Sequence, residues 1–181
     1  NQDISITMQT ITLGAGCFWC VEAVFANIKG VHSVDSGYMG GQIKNPSYRE
    51  ICTGRTGHAE VVQIVFDSEI VSLSTILEVF FATHDPTTLN RQGADSGTQY
   101  RSAIFTHETT QLPIVGVAMT TASAEWSQPI VTEITAATGF YKAEDYHQDY
   151  FEINGEAPYC QAVIAPKMKK FQEKYRFLLN Q

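Results

Sequence analysis

The strongest constraint on the fold is a change of hydrophobic period around "GAGCFWCVEAVF", residues 14 to 25. The preceding "TITLGAG" alternates as a β-strand and runs into a glycine-containing turn. Beyond it Val21, Val24, Phe25 and Ile28 recur at helical spacing until Lys29 and Gly30 stop the pattern. A strand that hands over directly to an amphipathic helix has to pack that helix on a sheet, which restricts the chain to layered architectures.

The remaining segments extend this pattern. "EVVQIVFD", residues 60 to 67, reads as a strand with Glu60, Val62, Ile64 and Phe66 on its more apolar face. Ser72 caps a helix whose stripe is Leu73, Ile76, Leu77, Phe80 and Phe81 and which ends near "HDPTT". Residues 85 to 97 read as a long ordered loop, "TQYRSAIF" as a strand, and 107 to 126 as a helix despite Pro113 and Gly116. "PIVTEIT" reads as a strand and "AEDYHQDYF" as a short helix. "PKMKKFQEKYRFLL" reads as a C-terminal helix with Pro166 in its first turn, preceded by a loop carrying "PYC". With no repeat and no linker, the expectation is one α+β domain over residues 1–181, a layered sandwich of a mixed sheet flanked by helices, with 1–9 a flexible N-terminal segment.

A formal net charge of −7 argues against unassisted binding to nucleic acid or anionic lipid and leaves a small substrate or a protein partner. No apolar run is long enough to span a bilayer, and "NQDISITMQT" lacks the basic start and apolar centre of a secretory signal. The expected location is the cytoplasm, with a periplasmic or secreted protein that has lost a leader as the alternative. Cysteines at 17, 20, 52 and 160 are too sparse to staple a scaffold and point to chemistry.

Cys17 falls at a helix N-terminus, where free backbone amides and the helix dipole favour thiolate, so it is the candidate nucleophile. Three other readings of Cys17-x-x-Cys20 stay open at this point. Both cysteines can be small buried hydrophobes. They can be half of a zinc site completed by Cys52, His58 and Cys160, although no second close pair exists. They can also form a thioredoxin-like dithiol, for which the large intervening rings of Phe18 and Trp19 are unusual; those rings suit a slot for a methyl or thioether group.

The motifs "GCFWC", "SGYMGG", "PSYREICTGRTGHAEVVQIVFD", "HDPTTLNRQGADSGTQYRSAIF", "EDYHQDYF" and "PYCQAVIAPKMKKF" together resemble the peptide methionine sulfoxide reductase A family in order and over nearly the whole chain. The resemblance implies a ferredoxin-like layered fold and reduction of methionine S-sulfoxide, free or in proteins. It implies Cys17 as nucleophile, Phe18 and Trp19 as walls for the substrate methyl, and Glu60 as the acid. It further implies Tyr48 and Tyr100 as phenols bonding the sulfoxide oxygen, with Asp95 beside them. Cys20 stands where many members have Gly. Cys160 matches a C-terminal recycling cysteine and is the favoured resolving thiol, with Cys20 as an alternative bridge or relay. His147 and Tyr150 are expected as rim contacts and Cys52 as a packed structural thiol. No bound cofactor or metal is implied; the reductant is external, thioredoxin or dithiothreitol in vitro, and the protein is expected to be a monomer.

The residue types suit that chemistry. Sulfoxide sulfur resists thiolate attack until its oxygen is protonated, so the nucleophile needs a neighbouring acid. A glutamate desolvated on the apolar face of a strand keeps its proton near neutral pH. Phenols donate to an oxygen without ionising, and a resulting sulfenic acid condenses with a nearby thiol.

Overall fold

The computed structural model describes residues 7–180. Six strands form one sheet: β1 (Met8–Ala15), β2 (Val31–Met39), β3 (Ala59–Asp67), β6 (Ser102–Thr106), β7 (Glu133–Ala136) and β8 (Tyr141–Lys142). Their order is β7-β6-β1-β3-β2-β8. Neighbours are antiparallel except β6 and β7, so the sheet is mixed. Helix α1 (Phe18–Phe25) connects β1 to β2, and α3 (Leu73–Ala82) lies between β3 and β6. The centre is therefore a βαββαβ unit with strand order β6-β1-β3-β2, the ferredoxin-like arrangement.

Alternation on the central strands explains the layers. Ile11 and Leu13 of β1 with Val62, Ile64 and Phe66 of β3 face α1 and α3, and all are fully buried. Phe18, Val24 and Phe25 of α1 and Ile76, Leu77 and Phe80 of α3 cover them; each buried ring contributes about 2 to 3 kcal/mol by apolar burial. The opposite side carries a smaller cluster of Met39, Ala59, Val61, Ala103 and Phe105. Ser72 caps α3 by accepting from Thr75 N–H, as its position predicts.

The structure corrects several expectations. Met8 and Gln9 are not a flexible tail but β1 residues paired with Asp67 and Phe66, because β3 offers them a partner edge; residues 1–6 lie outside the described chain. The loop 85 to 97 contains a small hairpin, β4 (Arg91–Gln92) and β5 (Asp95–Ser96). Thr98–Tyr100 form a tight 3₁₀ turn instead of opening a strand. Of "PIVTEIT" only Glu133 to Thr135 enter β7. The helix α4 (Leu112–Ser123) starts at Leu112 and takes Pro113 into its first turn. "AEDYHQDYF" is broken: Asp145–His147 form a 3₁₀ turn, Asp149 is left-handed, and α5 (Tyr150–Asn154) follows. Finally, "PYC" is helical. Cys160 opens a π-helical turn (Cys160–Ile164) that continues into α6 (Ala165–Tyr175), and it is fully buried.

Candidate active site

The turn from β1 into α1 places Cys17, the candidate nucleophile. Gly16 has φ +90°, a left-handed conformation that glycine adopts without strain, and a Cβ there would lie 2.7 Å from Gln92 Cγ. Cys17 is thereby set at the N-cap of α1, half-buried at the mouth of the site. The free amides of the first turn are shared between two groups. Phe18 N–H donates to Glu60 Oε1 at 3.1 Å, and the Trp19 amide supports the Cys17 sulfur.

Glu60 is 1% exposed on β3, on the face it shares with Val62, Ile64 and Phe66. Burial raises its carboxyl to about 8, against the Phe18 amide, with the charges of Asp95 and Cys20 adding to the rise. Its second oxygen, Oε2, is buried without a hydrogen-bond partner among the described residues. The site thus holds a neutral carboxylic acid with one free position.

The thiol pair differs from expectation. The Cys17 thiol donates a hydrogen bond to Cys20, and that bond, burial and the charge of Glu60 hold Cys17 well above the usual thiol range. Cys20 is lowered to about 7, first by the same bond, then by Lys167 and by a hydrogen bond from Tyr159, against burial. Cys20 is thus the thiol shifted toward its anion and Cys17 the one shifted away from it, with the hydrogen bond between them the largest cause of both shifts. Cys160, raised by burial, feels the charge of Cys20. Cys52 is not packed but exposed, and its side chain hydrogen-bonds Tyr48.

Aromatic rings line the space in front of Cys17. Trp19 stacks on Tyr150 with centroids 3.8 Å apart and planes 8° from parallel, and Tyr159 meets it edge-on at 5.7 Å. Trp19 Nε1–H donates to His147 Nδ1 at 3.0 Å, which fixes the neutral imidazole with its proton on Nε2. That Nε2 is buried and unpartnered among the described residues. The His147 ring is 4.4 Å from Tyr48 and 5.2 Å from Phe18. Tyr48 and Tyr100 both have phenols pushed up, first by burial and then by Glu60, so both stay protonated donors. Asp95, raised by burial and opposed by Lys167, completes the polar side.

The fold therefore brings Cys17, Cys20, Phe18, Trp19, Tyr48, Glu60, Asp95, Tyr100, His147 and Tyr150 into one neighbourhood of hydrogen bonds, ring contacts and charge interactions, with Cys160 within reach of the Cys20 charge. Sequence reasoning missed Tyr159, Lys167 and Glu144. Tyr159 adjoins Cys160 in "PYC", a signal that was available. Glu144 accepts from Tyr38 Oη at 3.1 Å and from Tyr48 N–H at 3.0 Å, so it orients the helix α2 (Tyr48–Cys52), and no local pattern marks it. The zinc reading finds no ligand set. His58 bonds Gly41 N–H and the Ile43 carbonyl, and among the described residues no group of three or more His, Cys, Asp or Glu is placed to hold a metal.

Comparison with known proteins agrees with this geometry. The family model for peptide methionine sulfoxide reductase matches residues 9–178. Peptide methionine sulfoxide reductase MsrA of Trichodesmium erythraeum is 54% identical over 168 residues, covering 92% of this chain and 95% of the relative. The structure of Mxr1 from Saccharomyces cerevisiae in reduced form is 34% identical and superposes with a TM-score of 0.79 over 86% of this chain and 90% of that one. Mxr1 in complex with Trx2 gives 25% identity and a TM-score of 0.57 over 80% and 86% of the two chains. With a family match spanning almost its whole length and relatives about half identical to it, this chain belongs to the peptide methionine sulfoxide reductase family.

Proposed function

We propose that the protein reduces methionine S-sulfoxide, free or within peptides, to methionine, with the described chain acting as one catalytic domain and as a monomer. The observation that carries this reading is the protonated, buried Glu60 with a free Oε2, next to Cys17 and faced by aromatic rings. The substrate methyl enters between Phe18 and Trp19, and the sulfoxide oxygen meets Glu60, Tyr48 and Tyr100. As the Cys17 sulfur attacks and loses its proton, Glu60 protonates the oxygen. The hydroxyl then passes from the methionine sulfur to the Cys17 sulfur as the bond between the two sulfurs breaks, so methionine leaves reduced, Cys17 is left as a sulfenic acid, and the proton that Cys17 released returns to Glu60.

The order of the thiols supports a relay. Cys20 attacks the Cys17 sulfenic acid, forming the Cys17–Cys20 disulfide and releasing water. Cys160 then attacks the Cys20 sulfur, forming Cys20–Cys160 and freeing Cys17. An external dithiol, thioredoxin by analogy with the Mxr1–Trx2 complex and dithiothreitol in vitro, takes the disulfide back to thiols. No bound cofactor enters the cycle. Among the described residues no helix is long and apolar enough to cross a membrane; we place the protein in the cytoplasm, where dithiol reductant is available, with the periplasm as the alternative.

Turnover of separated R and S sulfoxide peptides with dithiothreitol tests the activity: S-selective reduction that is lost in Cys17→Ser is expected, and activity surviving in Cys17→Ser removes the mechanism. After one equivalent of sulfoxide, Cys160→Ser should accumulate the Cys17–Cys20 disulfide, and Cys20→Ser should leave a dimedone-reactive sulfenic acid. A Cys17–Cys160 bridge formed at the wild-type rate in Cys20→Ser removes the relay. The second reading, a dithiol exchanger, is favoured only by the low Cys20 thiol; rapid reduction of insulin disulfides would support it.

A further inference from the structure

Glu22 lies one turn beyond Trp19 on α1 and takes no part in the chemistry above. It is 3% exposed, and both its carboxyl oxygens are engaged. Ser36 Oγ–H, from β2, donates to Oε1 at 2.8 Å, and Asp149 N–H donates to Oε2 at 2.7 Å. The second bond falls on the break in the segment ahead of α5. Asp149 has φ +53° and ψ +34°, a left-handed conformation that few residues with a Cβ adopt, so the surroundings have to hold it. Gln148, one residue earlier, accepts from Ser36 N–H at 3.0 Å and donates to the Ser36 carbonyl at 2.9 Å, tying the same segment to β2.

On either side of these anchors stand two of the partners of Trp19: His147, which accepts its indole N–H, and Tyr150, which stacks on its ring. Trp19 and Glu22 are three apart and share one face of α1, so that face meets residues 147 to 150 through a hydrogen bond, a ring stack and a buried carboxyl. We propose that Glu22 is a positioning residue for sulfoxide reduction. By holding the Asp149 amide it fixes the left-handed kink that presents His147 and Tyr150 to Trp19, and so shapes the wall that receives the substrate methyl. The proposal rests on the assignment of Trp19 to that wall. Glu22 reaches none of the reacting atoms and acts through the aromatic rings.

Burial raises the Glu22 carboxyl to about 7, and its side chain also hydrogen-bonds that of Asp149. A neutral amide at this position can accept from the Asp149 N–H and donate as well, so Glu22→Gln is the conservative variant and Glu22→Ala the disruptive one.

The chain has two tryptophans, so Trp126→Phe leaves Trp19 as the reporter. In that background Glu22→Ala should raise and red-shift Trp19 emission as the stack and the His147 bond loosen. It should also raise KM for a sulfoxide peptide about tenfold, within the roughly 10²-fold that a misplacement of about 1 Å can cost, with the rate of Cys17 alkylation by iodoacetamide unchanged. Glu22→Gln should return emission and KM to within about twofold of the parent. Parental emission and KM in Glu22→Ala would overturn the proposal, as would Glu22→Gln being as impaired as Glu22→Ala. Should Glu22→Ala fail to fold, Ser36→Ala removes one of the two anchors and should shift emission in the same direction by less; no shift overturns the idea. An emission change with unaltered KM overturns the role in reduction, and Trp19→Phe then separates the two readings, since an unaltered KM there would remove the methyl wall itself.

Discussion

At the scale of single residues, the chemistry depends on which group holds a proton. Glu60 is raised to about 8 chiefly by burial, so at neutral pH it can donate to an oxygen. Glu60→Gln keeps the shape and removes the proton. Single-turnover reduction should slow by about 10²-fold or more, the usual contribution of a positioned acid, with little change in substrate binding. The ratio of wild-type to variant rates should shrink as pH rises through about 8, because the wild-type carboxyl then loses its proton. Equal rates at pH 7 would remove Glu60 from the mechanism.

At the scale of elements, helix ends and helix irregularities carry the function. The cap on α3 is purely structural: Ser72→Ala removes the acceptor for Thr75 N–H and should cost about 1 kcal/mol in urea unfolding, with turnover unaltered. The π turn Cys160–Ile164 has a different part. Single-turn π segments interrupt the regular ladder, and Pro166 just beyond supplies no amide hydrogen to it. Cys160 is fully buried, so an external dithiol reaches a Cys20–Cys160 bridge only if this turn opens. Amide hydrogen exchange over residues 158 to 165 should therefore speed up after stoichiometric oxidation by methionine sulfoxide and slow again on reduction. Identical exchange in the two states would mean that reductant reaches another pair.

For the whole molecule, the buried acid is linked to global stability. A carboxyl whose folded pKa is raised keeps a proton on folding that the unfolded chain, at about 4.3, has already released. Its stabilising contribution is complete below that unfolded value and is lost as pH rises through the folded value of about 8. Glu60→Gln should thus gain stability relative to wild type between about pH 5 and 8, by at most about 1.4 kcal/mol per pH unit, and the gap should level off above. Paired urea titrations across that range measure it; a gap that does not change with pH would show that Glu60 is ionised in the folded protein.

The βα handover at Gly16, the apolar faces of β1 and β3 and the capped helix α3 are legible in the residues alone, because each follows from local periodicity or a single backbone requirement; Glu60 stands at a strand end, where periodicity does not decide exposure, and packing buries it. The roles of Tyr48 and Tyr100 came from resemblance, since eight tyrosines look alike to any local pattern. Only the tertiary structure decided the rest. Lys167 and Tyr159, from the far end of the chain, add to the Cys17 hydrogen bond in lowering the Cys20 thiol. The helix expected at 143 to 151 breaks at Asp149 because Glu22 and Ser36, more than a hundred residues earlier, hold the segment open. Hydrogen bonds and electric fields between distant segments leave no period in the sequence, and they set the geometry in which the local signals become a site.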